Sequence, residues 1–166
     1  MDTTKRIEPA AGQESVWDYP RPPLVEPVTK RLRVEFDGVV IADTTNGHRV
    51  CETSHAPAYY IPPSDIDLNA LVPADGASFC EWKGVATYFD VVGPSGRIAE
   101  RSAWTYTGPE HAFAVITNHI AFYAGMMDAC HVGDAVVRPM DGDFYGGWIT
   151  PELVGPFKGA PGTRHW

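Results

Sequence analysis

From Arg31 the chain alternates polar and apolar residues: Leu32, Val34 and Phe36 interleave with Arg31, Arg33 and Glu35. Successive side chains on a strand point to opposite faces, so this period of two buries one face and wets the other. Asp37-Gly38 suits the tight turn of a hairpin, and Val39 to Ala42 supplies its second strand. Asn46-Gly47 predicts another turn before a strand through Arg49, Val50 and Cys51, after which Pro57, Pro62 and Pro63 interrupt the pattern around Tyr59 and Tyr60. Two more strands are expected over 78–83 and 85–92, separated by Gly84. Gly93 to Gly96 then turns the chain into a strand over 97–104, closing a second hairpin.

Only one stretch reads as a helix. Gly108 is its expected cap and Pro109 its first residue, with Ala112, Phe113 and Ile116 at helical spacing. Strand character returns at 119–123, and 124–140 suggests one more hairpin. The tail over 141–166 is rich in Gly and Pro, with one helical turn expected from Thr150-Pro151-Glu152. Residues 1–29 hold five of the fifteen prolines, which predicts an extended arm without a ladder of its own. Its Trp17 and Tyr19 are costly to leave wet, so the arm is expected to lie pinned on a β domain spanning 30–140, with the tail packed on the same domain.

Charge narrows the function classes. Thirteen Lys and Arg against 21 Asp and Glu give a net charge of -8, which repels a phosphate backbone and argues against nucleic acid as a partner. A small molecule or a basic partner is the easier expectation. No stretch approaches the roughly 18 apolar residues of a membrane span, and the N-terminus lacks the apolar core of a secretory signal, so no membrane association and a cytoplasmic location are expected. Three widely spread cysteines, Cys51, Cys80 and Cys130, suit reduced thiols rather than a disulfide framework.

Nucleotide-binding loops and the nucleophile elbow have no match in the chain. Cysteine pairs at structural-zinc spacing are also missing, so neither metal nor other cofactor is expected. The useful chemistry concentrates in two segments. Arg49 to Pro62 gathers Arg49, Glu52, His55 and two phenols at a strand end; Cys80 to Tyr88 adds a thiol, a carboxylate and Lys83 beside Trp82 and Tyr88. Such a set supplies apolar walls and a few titratable groups, which is what a small-molecule site requires.

The runs R-V-C-E-T-S-H-A-P-A-Y-Y-I-P-P-S-D-I, C-E-W-K-G-V-A-T-Y, A-W-T-Y and H-I-A-F-Y resemble, in order and spacing, the bacterial and fungal family called domain of unknown function 427, over about residues 31 to 124. The E-S-V-W-D-Y-P-R-P-P arm and the F-Y-G-G-W tail look like its longer members. The resemblance implies a mainly β fold of compact, strongly bent antiparallel sheets with one short helix, related to the β-tent group that includes methionine sulfoxide reductase B and the thalidomide-binding domain of cereblon. Many members of that group carry a four-cysteine zinc site, a pattern absent from this chain. The family's name assigns no activity.

Strand parity places Arg49 and Cys51 on one face and Val50 and Glu52 on the other. It also groups Cys80 with Trp82, opposite Glu81 and Lys83. A site joining Glu52 to Lys83 therefore requires the strand to end or bulge near Glu52, which the following Pro57 makes reasonable. Candidate catalytic groups are Glu52 and His55 as acid and base, Lys83, and Cys80 as a nucleophile; Arg49, Tyr60, Trp82, Tyr88 and Trp104 are candidate ligand contacts. Each has a structural alternative: Cys80 as a small buried apolar residue, Glu52 as the partner of Arg49, Lys83 as a turn cap, and the aromatics as core. Two functions remain open: a metal-independent enzyme acting by acid/base chemistry on a small polar or anionic substrate, or a non-catalytic binding module. Either is compatible with a homodimer.

Overall fold

The computed structural model describes residues 6–142 and 144–166, so the first five residues of the arm and Asp143 of the tail lie outside the described residues. Among the described residues the chain is mainly β, with several antiparallel sheets and no closed barrel. We label eleven strands in chain order: β1 (Leu24–Val28), β2 (Leu32–Phe36), β3 (Val39–Thr44), β4 (Gly47–Cys51), β5 (Ala58–Tyr60), β6 (Leu71–Cys80), β7 (Gly84–Val92), β8 (Ile98–Tyr106), β9 (Ile120–Phe122), β10 (Ala129–Val132) and β11 (Ala135–Val136). They form one three-stranded sheet, β1-β4-β5, and two four-stranded sheets, β11-β10-β2-β3 and β9-β8-β7-β6.

The first hairpin forms as its alternation predicts. Leu32, Val34 and Phe36 are fully buried, and Asp37 and Gly38 both take positive φ, the conformation a two-residue turn between twisted strands needs. At Asn46-Gly47 the chain does not fold back on β3; it crosses into the three-stranded sheet, where β4 pairs with β1 and β5. Gly47 is required there because a Cβ would strike Leu32.

Four local expectations are corrected. The arm contributes a strand: β1 pairs with β4 over five residues, with Pro27 tolerated on the sheet's edge. The strand expected over 78–83 begins at Leu71 and ends at Cys80, leaving Glu81, Trp82 and Lys83 as the turn of the β6–β7 hairpin. The short helix is a 3-10 segment, His111–Ile116, starting after Glu110 and broken at Phe113, so Gly108 is not its cap. Pro151-Glu152 forms a β-turn closed by Leu153 N–H to the Thr150 carbonyl, not a helical turn.

Arm and tail meet on the domain. Glu14–Ser15 pairs in parallel with Leu153–Val154, Trp17 Nε1 donates to the Pro156 carbonyl at 2.8 Å, and the Trp17 and Trp166 rings lie 5.4 Å apart.

Two apolar clusters result. The larger, mostly aliphatic, fills the space between β2-β3 and the halves of β7 and β8 nearest the 93–96 turn, with Trp148 at 0 % exposure stacked on Tyr59. The smaller gathers Val50, Tyr60, Ala86, Trp104, Tyr106, Phe113 and Ile116 between the three-stranded sheet and the β6–β9 sheet. Neighbouring residues divide between them: Tyr59 and Ala103 face the first, Tyr60 and Trp104 the second.

Candidate functional site

Beside the smaller cluster is a pocket of about 200 Å³. One wall is Val50, Ala58 and Tyr60 from β4 and β5; the other is Ser78 and Cys80 from β6, Ala86 and Tyr88 from β7, and Trp104 and Tyr106 from β8. Tyr123, Met140 and the tail residues Phe144 to Gly147 close the remaining side.

Glu52 and His55 reach this pocket because β4 stops at Cys51. The chain then turns tightly, with His55 N–H donating to the Glu52 carbonyl at 3.0 Å and Ser54 held at φ 71°. Positive φ in a buried non-glycine residue is strained, and here it bends Glu52 and His55 toward the same opening. His55 Nδ1 lies 2.9 Å from the Thr53 carbonyl, which can only accept, so Nδ1 carries the proton and Nε2 holds the lone pair. Burial pushes the His55 pKa below its ordinary value, only partly opposed by Glu52 with its carboxylate 3.8 Å away. The imidazole is therefore neutral at neutral pH. Glu52 pairs with Arg21 of the arm at 3.2 Å, and not with Arg49.

Lys83 enters from the opposite wall. Because residues 81–83 form the hairpin turn, strand parity does not govern them, and Lys83 folds back with Nζ 5.7 Å from the Tyr106 ring centroid and 6.0 Å from that of Phe113. Burial alone would lower its pKa, but Tyr60, Cys80 and Glu52 facing it outweigh that. The net shift is upward, which keeps the ammonium charged. A permanently charged lysine is suited to holding an anion rather than to acting as a neutral amine base.

Three of the phenols are hydrogen-bonded, each to a different partner. Trp104 Nε1 donates to the Tyr60 hydroxyl at 3.3 Å, Ser78 and Tyr88 share a hydrogen bond of 2.7 Å, and Tyr123 donates to the Phe144 carbonyl at 3.2 Å. Burial raises the pKa values of Tyr60, Tyr106 and Tyr123, so all three stay protonated.

Of the residues proposed from sequence, Glu52, His55, Lys83, Cys80, Tyr60, Tyr88 and Trp104 line this one pocket. Trp82 packs half-buried against the cluster behind it without lining it. Arg49 is elsewhere. On the opposite face of β4 it binds Glu14 at 2.8 Å and Glu26 at 2.6 Å, fastening the arm to the sheet. Cys51 and Cys130 are buried thiols pushed up to about 12, and Cys80 is half-exposed. Among the described residues no group of three or more His, Cys, Asp or Glu side chains gathers to hold a metal, and no helix is long and apolar enough to cross a membrane.

The sequence offered no site residue in the tail, yet Tyr145 packs edge-on against His55 at 5.1 Å and Gly146 passes over Trp104. The signal was the Gly146-Gly147-Trp148 run. A Cβ at Gly146 would run into the Trp104 indole and one at Gly147 into the Ala56 carbonyl, so the glycines let the tail close the pocket while Trp148 anchors it in the main core.

The profile of the family described as Domain of unknown function (DUF427) matches residues 24–133, which include both strands of the near wall, the β6–β8 wall, and Glu52, His55 and Lys83. No curated protein matches the chain.

Proposed function

Since the chain belongs to the Domain of unknown function (DUF427) family, whose description assigns no reaction, we propose from the pocket alone that it is a small-molecule-binding β domain. The observation that carries this reading is the opening of Glu52, His55 and Lys83 into one cavity walled by Tyr60, Tyr88, Trp104 and Tyr106. A hollow beside aromatic walls, with a few convergent polar groups, is what a ligand site requires. A thermal-shift screen of soluble metabolites tests it. Compounds that raise the melting temperature of the wild-type protein should fail to do so in Trp104→Ala, whereas equal shifts in both proteins would place the ligand elsewhere.

A second reading, acid/base catalysis on the bound molecule, is favoured by His55. Its Nε2 lone pair is available, its tautomer is fixed by the Thr53 carbonyl, and it is neutral near pH 7. The ligand found by the screen should then be consumed by the wild-type protein and not by His55→Gln, with binding retained in the variant. Binding without turnover in both would leave the non-catalytic reading standing.

A further inference from the structure

We infer that the pocket takes a small monocarboxylate with a flat, unsaturated body, its carboxylate seated on Lys83 and the Tyr60 hydroxyl and its body against the Trp104 and Tyr123 rings. This rests on the reading of the pocket as a ligand site and adds the class of the ligand.

Among the described residues two charged groups line the pocket, Glu52 and Lys83, and they are not paired with each other. Glu52 is committed to Arg21 at 3.2 Å, while no carboxylate among the described residues lies within ion-pair distance of Lys83. An ammonium half-removed from water with no counter-ion is costly, and its cost falls when an anion binds. Rings at 5.7 and 6.0 Å supply only part of what water supplied.

Hydrogen-bond capacity points the same way. The Tyr60 oxygen accepts from Trp104 Nε1, and its own proton has no acceptor among the described residues. Tyr106 likewise makes no hydrogen bond among them, whereas Tyr88 and Tyr123 are engaged with Ser78 and the Phe144 carbonyl. The Lys83 end thus presents an ammonium and two phenol protons, a surplus of donors that an acceptor-only group satisfies. A carboxylate offers two oxygens and one charge, matching one lysine. A phosphate dianion would be left half-neutralised, because no arginine lines the pocket. Beyond the polar end the walls are aromatic: the Trp104 and Tyr123 rings pack on each other 4.7 Å apart at 50°, and the surface this pair presents to the pocket suits an unsaturated, planar body.

Isothermal titration with benzoate, benzamide, benzylamine and phenyl phosphate separates the alternatives. Benzoate should bind roughly tenfold or more tighter than benzamide, since a hydrogen bond to a charged group is worth about that much. Lys83→Met should reduce benzoate to the level of benzamide without changing benzamide itself, and Tyr60→Phe, which keeps the ring, should weaken benzoate several-fold. Circular dichroism and the benzamide signal report whether each variant is folded. If benzamide or benzylamine matches benzoate, if phenyl phosphate exceeds it, or if folded Lys83→Met binds benzoate as the wild type does, the carboxylate assignment is overturned while the pocket remains a ligand site. If none of the four probes binds, both the assignment and the pocket reading fail.

Discussion

The two cores of this domain are built from adjacent residues of the same strands, yet they differ in kind. On β5, Tyr59 enters the larger core and Tyr60 the smaller; on β8, Ala103 and Trp104 part in the same way. The larger core is mostly aliphatic, and its one indole has its N–H bound to the Phe122 carbonyl at 2.9 Å. The smaller core is aromatic, tipped with hydroxyls, and adjoins a hollow. Aliphatic side chains interdigitate closely, whereas in the smaller core Tyr60 meets Trp104 edge-on and Tyr106 at a tilt, each at 6.3 Å, and all three rings line the hollow. The larger core thus holds in place the strands whose opposite faces wall the pocket.

Removing the anchor of the larger core should have the largest effect on stability. Trp148→Ala should cost about 3–5 kcal/mol in urea unfolding, because it leaves a cavity and an unpaired Phe122 carbonyl. A loss below about 1 kcal/mol would mean that the tail is not seated in that core.

Arg49 sharpens the contrast from outside both cores. Arg49→Met leaves Glu14 and Glu26 without their shared cation, and because both carboxylates are partly solvated the loss should be about 1–2 kcal/mol. Pocket binding should be unchanged. A variant that loses ligand affinity while keeping its stability would return Arg49 to the site.

Acid should act through two histidines. Burial lowers the pKa of His55, and burial together with His119 lowers that of His48, so both are below their unfolded value of about 6.5. The unfolded chain then binds more protons in that window. The stability these groups contribute is therefore present in full above about pH 6.5 and is lost as pH falls through their folded values. Urea midpoints should drop between pH 7.5 and 5.5, and by less in His55→Gln. An equal drop in the variant would assign the acid sensitivity to His48 or to other groups.

The smallest effect on stability is expected from Tyr106→Phe, whose hydroxyl makes no hydrogen bond among the described residues and opens on the pocket. Its unfolding free energy should change by less than about 0.5 kcal/mol, while its benzoate affinity falls.

Much of the framework was legible in the sequence because it follows from period and turn chemistry. Leu32, Val34 and Phe36 announce their face, Asp37-Gly38 its turn, and Gly93 to Gly96 the β7–β8 hairpin. The near wall was legible for the same reason: parity separated Glu52 from Arg49, and β4 ends where Pro57 allowed it to. What escaped were features set by distant parts of the chain. The arm's strand at Leu24–Val28 exists because β4 offers it an edge, a pairing that local proline content argues against. Lys83 was assigned to a strand face because nothing local marks Glu81-Trp82-Lys83 as a turn; Gly84, at φ +101°, was the only sign. Tyr145 reaches the pocket through the tail's return across Trp104, for which the paired glycines were the only local sign.

A ligand should enter beside the aromatic core and not the mostly aliphatic one, and the two indoles report on each. In a proton–nitrogen correlation spectrum recorded while benzoate is added, the Trp104 Nε1–H resonance should shift progressively and saturably, and that of Trp148 should stay in place. A Trp104 signal that does not move while other resonances do, or a Trp148 signal that moves as far, would contradict it.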